Sequence, residues 1–295
     1  MVQTEQIFII KFQISMNPKL IDTHAHINFN GFKGDADEVI ARAFEKGIQM
    51  FSVGSQIDTS KRAVHYAQKY DGIWAIVGLH PIHLVEHHVD QQEVNFQSRQ
   101  EEFNYEAYKE LASHEKVIGI GECGLDYFHI DEVPGENEEL IRHQKLAFRK
   151  QIDLAMELDK PLAIHCRDAY DDVIEMMKVV IGEKGKAPKA LMHCYLGDRR
   201  QAEEFLKLGF YISFSGIVTF KNAAEELRDV AKIVPKDRLL VETDCPYLAP
   251  EPMRGRRNEP SYVEYTAKFL ASLREESEDE LFSNVTNNAK KLFNI

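Results

Sequence analysis

Short apolar runs alternate with longer amphipathic segments from residue 19 to the end of the chain. Nearly continuous apolar runs are typical of parallel strands buried on both faces, whereas apolar residues three or four positions apart are typical of helices. The pattern therefore predicts strands that alternate with helices. The predicted strands lie in KLIDTHAH, IQMFSVGS, IWAIVGLHP, KVIGIGECGLD, PLAIHCR, ALMHCY, FYISFSG and RLLVETDCP. The predicted helices between them include QKLAFRKQIDLAMELDK and DRRQAEEFLKLG.

Eight strands of this kind predict an α/β fold, a single (β/α)8 TIM barrel, rather than an open doubly wound sheet. No change in composition divides residues 16–295, so we expect one domain there. In such barrels the active site lies at the carboxyl-terminal ends of the strands. The polar residues at the ends of the predicted strands are therefore the first candidates for function.

The first fifteen residues, MVQTEQIFIIKFQIS, stand apart from this pattern. A secretory signal begins with basic residues and has an unbroken apolar core. This segment starts without Lys or Arg, and Lys11 interrupts its apolar stretch. We interpret residues 1–15 as an N-terminal extension or the product of an upstream start codon, with Met16 as the alternative start. A short extra strand under the barrel is the structural alternative.

Composition narrows the function classes. The net charge of −12 argues against a broad basic surface for duplex DNA, but not against a nucleic acid whose reacting phosphate meets metal cations locally. Four cysteines in 295 residues do not make a disulfide scaffold, and no apolar run has the length of a membrane span. We therefore expect a soluble, cytoplasmic protein with no membrane contact.

Side chains that commonly bind metals fall where a barrel would bring them together. His24 and His26 end the first strand two positions apart, and residues i and i+2 of a strand face the same side. The pair can therefore offer two nitrogens to one cation. Four more strands end in such residues, namely Glu122 on the fourth strand, His165 on the fifth, His193 on the sixth and Asp244 on the eighth. The sequence predicts that these six side chains converge on one rim.

Several motifs resemble the TatD-type metal-dependent deoxyribonucleases, which are amidohydrolase-like barrels. The matching stretches are LIDTHAH, VGLHP, IGECGLDY, HQKLAF, PLAIHCRDAY, LMHCY, ISFSGIVTFKNA, VETDCPYLAP and RGRRNEP. They cover the chain from Lys19 to the C-terminal NNAKKLF. The chain departs from the family in GLHPIH, which leaves the role of His83 open, and in a His- and Gln-rich stretch from Leu84 to Gln100. We expect the second departure to change only a rim loop.

The resemblance implies two divalent metal ions. The ligands of the first would be His24, His26, Glu122 and Asp244, and those of the second Glu122, His165 and His193. A bridging carboxylate suits this arrangement because its two oxygens and its charge offset the repulsion between two cations. The resemblance also implies a metal-activated water as the nucleophile and Glu122 and Asp244 as catalytic residues, with Asp244 as the acceptor of the water proton.

Two considerations bear on which metal the site binds. Four imidazoles with two carboxylates favour zinc, manganese or nickel by ligand softness. The family's nuclease activity is associated with magnesium, which usually prefers oxygen ligands. We expect magnesium or manganese to support activity and zinc or nickel to be other occupants.

Three residues are predicted to contact substrate. His80 ends the third strand and would contact a substrate phosphate, with a hydrogen-bonded structural histidine as the alternative. Arg167 follows His165, and the alternative to a phosphate contact there is a surface salt bridge. Arg256 lies in RGRRNEP, the one dense basic cluster of the sequence, where a guanidinium suits a phosphate and a solvated loop is the alternative.

The resemblance implies a metal-dependent deoxyribonuclease that hydrolyses phosphodiesters, a 3′-5′ exonuclease acting on single-stranded DNA ends. DNA is then the expected partner, and no obligate protein partner is implied. An alternative with the same metal site is an ester or amide hydrolase such as a D-aminoacyl-tRNA deacylase. A third alternative, a non-catalytic scaffold, would be favoured by the loss of a ligand, but all six ligand-type residues are present.

Overall fold

The computed structural model describes residues 17–84, 88–91, 94–97, 100–128, 130, 137–223 and 225–295. Residues 1–15, for which an N-terminal extension is predicted, lie outside these ranges. From Leu20 onward strands and helices alternate. Within the described ranges, no helix combines the length and the apolar character needed to cross a bilayer.

Eight parallel strands form one sheet, in which each strand pairs with the next barrel strand along the chain. They are β1 (Leu20–Ala25), β2 (Ile48–Val53), β3 (Ile73–Val77), β6 (Val117–Asp126), β7 (Leu162–Arg167), β8 (Ala190–Met192), β9 (Tyr211–Phe214) and β10 (Leu239–Val241). The two edges of the sheet meet where the His26 N–H donates to the Cys245 carbonyl at 2.9 Å. The sheet is therefore a nearly closed barrel, and the predicted TIM-barrel fold is confirmed.

Helices connect successive barrel strands, and two more helices follow β10. Those in the described ranges are α1 (Ala36–Glu45), α2 (Ile57–Lys69), α3 (Tyr105–Ala112), α4 (Asn137–Glu157), α5 (Tyr170–Lys184), α6 (Arg199–Lys207), α7 (Glu225–Ile233), α8 (Val263–Leu273) and α9 (Glu278–Phe293). Local signals mark several ends. Asp198 caps α6 by accepting the Gln201 N–H at 2.7 Å, and α5 is followed by Gly185, whose φ is +72°.

Apolar side chains fill the interior of the barrel. One buried cluster takes at least one residue from every barrel strand, including Ile21, Phe51 and Leu240, and joins them to Leu292 and Phe293 of α9. The rings of Phe51 and Phe293 pack with centroids 4.7 Å apart. The interior is therefore a packed core rather than a pore, and polar chemistry is confined to the carboxyl ends of the strands.

The stretch from Leu84 to Gln100, expected to be a rim loop, contains two further strands. They are β4 (His88–Gln91) and β5 (Val94–Gln97), which pair antiparallel as a hairpin separate from the barrel sheet. The hairpin lies in the connection between β3 and α3, on the side of the barrel where a changed rim loop was expected.

Strand pairing is irregular in the two strands that carry His24 and Glu122. The β1–β2 register shifts between Asp22 and Ala25, and the β6–β7 register shifts between Ile120 and Cys123. Such shifts bend a strand and re-aim its side chains. The prediction that Glu122 closes its strand was wrong, since β6 resumes pairing with β7 at Cys123 and continues to Asp126.

Gly124 lets β6 and β7 approach closely beyond Glu122. Its φ is +148°, and a Cβ at this position would overlap the His165 carbonyl. We expect Gly124→Ala to lower the free energy of unfolding by about 2–4 kcal/mol, because one backbone must move. Gly182→Ala, in α5 with open space around the added Cβ, should instead raise it by about 0.5–1 kcal/mol. Denaturant unfolding measures both, and equal stability of the two variants would contradict the prediction.

Candidate metal centre

A pocket of about 260 Å³ opens at the carboxyl ends of the barrel strands. Five of the six predicted ligands line it, namely His26, Glu122, His165, His193 and Asp244. The sixth, His24, is fully buried beside them, and its ring stacks on that of His193 with centroids 3.9 Å apart. The tertiary structure therefore brings all six side chains together. We call this cavity the central pocket.

The first group of donor atoms includes the ring nitrogens of His24, in β1, and of His26, just after it. The Nε2 atoms of His24 and His26 are 3.3 Å apart. Glu122 Oε2 lies 3.6 Å and 3.5 Å from these nitrogens. Asp244 Oδ1 lies 3.9 Å from His24 Nε2 and 3.4 Å from His26 Nε2. Two nitrogens and two carboxylate oxygens thus face one another.

The second group uses the other oxygen of Glu122. Oε1 lies 3.3 Å from His165 Nδ1 and 3.0 Å from His193 Nε2. These two nitrogens are 3.3 Å apart. Because Oε2 faces one group and Oε1 the other, Glu122 is shared between two clusters of donor atoms.

In three histidine rings, the nitrogen that faces away from the clusters makes a hydrogen bond, which determines that the other nitrogen is free to bind a metal. His26 Nδ1 donates to the Val53 carbonyl at 2.9 Å. His193 Nδ1 donates to Glu242 Oε1 at 3.2 Å, and His165 Nε2 donates to Asp126 Oδ2 at 3.1 Å. When a ring carries only this proton, the lone pair of its other nitrogen points into a cluster, which is the arrangement that metal-binding histidines use.

The spacing of the donor atoms fits divalent metal ions. Two ligand atoms bound to one cation at about 2.1 Å lie roughly 3.4 Å apart when the coordination is tetrahedral. Both nitrogen pairs are 3.3 Å apart. The two clusters, His24–His26–Glu122 and Glu122–His165–His193, are therefore able to bind metals.

Sequence comparison agrees with this geometry. The sequence model of the TatD related DNase family matches residues 21–294. The chain belongs to this family. It is therefore a metal-dependent hydrolase of the TatD type, and the non-catalytic scaffold is not supported.

Two relatives align with almost the whole chain, and a solved structure superposes on it. The metal-dependent hydrolase YabD of Bacillus subtilis is 44% identical over 277 residues, which are 94% of this chain and 99% of YabD. The 3′-5′ ssDNA/RNA exonuclease TatD of Klebsiella pneumoniae is 34% identical over 94% of this chain and 98% of its own. The crystal structure of YJJV, a TatD homologue from Escherichia coli, superposes with a TM-score of 0.80 at 27% identity, covering 94% of this chain and 98% of YJJV.

Charges around the TatD-type site favour cation binding. Burial and the neighbouring His193 lower the pKa of His24 to about 4, so this ring is in the neutral form that binds metals. Burial alone would raise the pKa of Glu122, but the imidazoles of His80 and His193 hold it well below its usual range. Burial opposes a charge on His193, yet Glu122 and Glu242 raise its pKa well above the ordinary value. The two carboxylates that favour a proton on His193 also favour a metal cation beside this ring.

Three buried carboxylates beside the clusters were not predicted from the sequence. Asp126 and Glu242 accept the ring hydrogen bonds of His165 and His193. Asp22 accepts the N–H groups of His24 and Thr243 and the Thr243 hydroxyl, and burial raises its pKa to about 8. A signal for all three is present in the sequence, because an acid inside a buried strand, two to four residues from a predicted ligand, needs a partner.

His80 presents a proton rather than a lone pair to the central pocket. Its Nδ1 accepts the Ile82 N–H at 3.0 Å, so the neutral ring carries its proton on Nε2, which is 3.4 Å from Glu122 Oε1. Burial lowers the pKa of His80 well below the ordinary value. The ring is therefore suited to donate a hydrogen bond to substrate.

The two predicted arginines are in different places. Arg167 lines the central pocket, and its guanidinium carbon lies 3.5 Å from the centre of the Phe128 ring. Arg256 is exposed on the segment after β10 and does not line the central pocket. Its neighbour Arg257 pairs with Asp35 at 2.5 Å. The structure thus brings Arg167, but not Arg256, to the metal centre.

We expect Glu242→Gln to weaken metal binding about 10- to 100-fold, because an amide cannot offset charge on His193 as a carboxylate does. Glu242 is fully buried and also accepts the Cys194 N–H at 2.6 Å, so Gln keeps the volume and an acceptor oxygen. Competition with a chromophoric chelator measures the affinity. Glu226→Gln, at an exposed glutamate of α7, is the control. Equal affinities of the two variants would contradict the prediction.

Proposed function

We propose that this chain is a two-metal exonuclease that shortens single-stranded DNA from the 3′ end. The six ligands would be divided between two ions, with Glu122 shared. The observation that carries the proposal is the division of Glu122, whose oxygens face different donor clusters. Two-metal sites occur in phosphatases, polymerases and nucleases as well as in aminopeptidases, so this division supports two-metal hydrolysis and the neighbouring groups must select the substrate.

Phosphate is favoured over a carbonyl substrate by the groups beside the clusters. His80 carries its proton on Nε2 within the central pocket, and Arg167 adds a permanent positive charge to the wall. A phosphodiester presents several anionic oxygens to such donors, whereas an ester or amide presents one carbonyl oxygen. The Klebsiella relative is named a 3′-5′ ssDNA/RNA exonuclease, which also supports a phosphodiester substrate.

The proposed reaction replaces one bond at phosphorus. Water adds to the phosphorus of the last nucleotide, the bond to the 3′ oxygen of the preceding sugar breaks, and a nucleoside 5′-monophosphate leaves. Bound magnesium or manganese would lower the pKa of the water and offset charge on the phosphoryl group. Asp244 Oδ1 takes the proton of the attacking water, His80 Nε2–H donates to a phosphoryl oxygen, and the released 3′ oxygen takes a proton from solvent.

The first test is shortening of single-stranded DNA labelled at its 5′ end. Metal-stripped protein is incubated with the DNA, with and without magnesium or manganese. Stepwise loss of nucleotides from the 3′ end that requires added metal is the expected result. DNA left intact by folded, metal-loaded protein would overturn the proposal and direct the search to esters and amides, beginning with D-aminoacyl-tRNA.

The two arginines should differ in their effects. We expect Arg167→Ala to raise KM about tenfold with little change in kcat, because its charge lines the central pocket. Arg256→Ala, outside the pocket, should raise KM only about two- to threefold, as an outer contact with the strand. Initial rates on the labelled DNA test both. A larger effect at Arg256 than at Arg167 would mean that the strand is held mainly by the exposed loop.

A further inference from the structure

Ser55, His80 and His83 form one side of the central pocket. Ser55 follows β2, and the two histidines follow β3. The His80 N–H donates to the Ser55 carbonyl at 2.9 Å, and the His83 N–H donates to the His80 carbonyl at 3.0 Å. Less than a tenth of each residue is exposed, with fractions of 6%, 8% and 5%. Backbone hydrogen bonds and burial thus hold the three residues in fixed relative positions.

The side chains of Ser55 and His83 contact each other. Ser55 Oγ lies 3.2 Å from His83 Nε2. Thr59 Oγ1 supports the loop by accepting the Ser55 N–H at 2.9 Å and donating to the Gln56 carbonyl at 3.0 Å. Burial lowers the pKa of His83 to about 4, so the pair carries no charge at neutral pH. Ser55 Oγ also lies 3.4 Å from Thr59 Oγ1, so the hydroxyl donates to one of these two neighbours and its oxygen can still accept a hydrogen bond from a ligand.

His80 lies between the Ser55–His83 pair and the metal clusters. His80 Nε2 is 3.4 Å from Glu122 Oε1, and the rings of His80 and His83 have centroids 6.5 Å apart. A phosphate held by the clusters and His80 would therefore have its attached sugar near Ser55 and His83. The sugar of a 3′-terminal nucleotide carries a neutral hydroxyl, which donates one hydrogen bond and accepts others. A pocket of about 260 Å³ suits one small group of this kind rather than a continuing strand.

We propose that the Ser55–His83 pair binds the 3′-hydroxyl of the terminal nucleotide and makes the enzyme selective for unblocked 3′ ends. This inference rests on the proposed exonuclease function. It assigns Ser55 and His83 to substrate recognition, separate from the metal clusters.

The test compares three single-stranded DNAs that differ only at the last sugar, which carries a 3′-hydroxyl, a 3′-hydrogen or a 3′-phosphate. With manganese-loaded protein, we expect removal of the first nucleotide to be about tenfold slower from the 3′-hydrogen end, because one buried hydrogen bond is lost. The 3′-phosphate end should be slower still, since a charge would enter an uncharged site. Faster removal from the 3′-phosphate end would overturn the proposal in favour of a phosphate site.

Two variants test whether Ser55 and His83 cause the difference in rate between the 3′-hydroxyl and 3′-hydrogen substrates. Ser55→Ala and His83→Leu should each slow the 3′-hydroxyl substrate to the rate of the 3′-hydrogen substrate, without slowing the latter. A merely structural role would slow both substrates alike and leave their ratio unchanged. His65→Leu, at an exposed histidine of α2, is the control and should keep the tenfold preference.

Binding gives a readout that does not depend on turnover. By calorimetry, thymidine 5′-monophosphate should bind the unaltered protein about tenfold more tightly than its 3′-deoxy analogue, and Ser55→Ala should abolish this difference. Shortening of all three DNAs at one rate would refute the inference while leaving the exonuclease function intact. No shortening of any DNA, with equal binding of both nucleotides, would refute both.

Discussion

Glu122→Ala should remove both bound metals and reduce hydrolysis about a thousandfold or more. The side chain supplies Oε2 to one donor cluster and Oε1 to the other, with distances of 3.0–3.6 Å to four imidazole nitrogens. Its loss takes an anionic ligand from each cluster at once. Without that charge, two cations would also repel each other more strongly at close range.

Metal content by elemental analysis and the rate of DNA shortening should fall together in this variant. Glu175→Ala, at an exposed glutamate of α5, is the matched control and should change neither quantity. Normal metal content in Glu122→Ala would contradict the shared-ligand arrangement. Normal metal content with lost activity would instead limit Glu122 to a role in the chemical step.

Asp244→Asn should reduce kcat by about 10²- to 10⁴-fold and change KM less than about threefold. Oδ1 lies 3.4 Å from His26 Nε2, at the edge of the first cluster, where it can accept the proton of the attacking water. An amide oxygen is a far weaker base. The local backbone should survive the change, since Asp244 has a φ of +57° and Asn tolerates this left-handed region.

The structure offers a close control for this substitution. Asp168 has a φ of +55° and is exposed on the segment that follows β7. Asp168→Asn makes the same chemical change in the same backbone conformation, outside the metal clusters, and should leave kcat within about twofold. A full rate in Asp244→Asn would remove Asp244 as the proton acceptor. A KM rise without a kcat change would assign it to substrate binding.

The barrel and most of the site follow from local features of the sequence. Eight apolar runs predicted eight barrel strands, because burial on both faces leaves a continuous apolar signal along each strand. The i, i+2 spacing of His24 and His26 predicted a shared direction, and their Nε2 atoms are 3.3 Å apart. The rule that barrel enzymes act at the carboxyl ends of their strands then selected the remaining ligand-type residues.

The sequence by itself thus determined the fold, the family and the six side chains that meet at the rim. Only the tertiary structure divided the oxygens of Glu122 between two clusters. It also determined which ring nitrogen of three histidines carries the hydrogen-bonded proton. The fixing contacts join His26 to Val53, His165 to Asp126 and His193 to Glu242, across 27, 39 and 49 positions of the chain. Only the fold likewise carried Arg167 to the central pocket and left Arg256 outside it. Periodicity and spacing report on neighbours within one element, whereas these contacts depend on how separate strands close into a barrel.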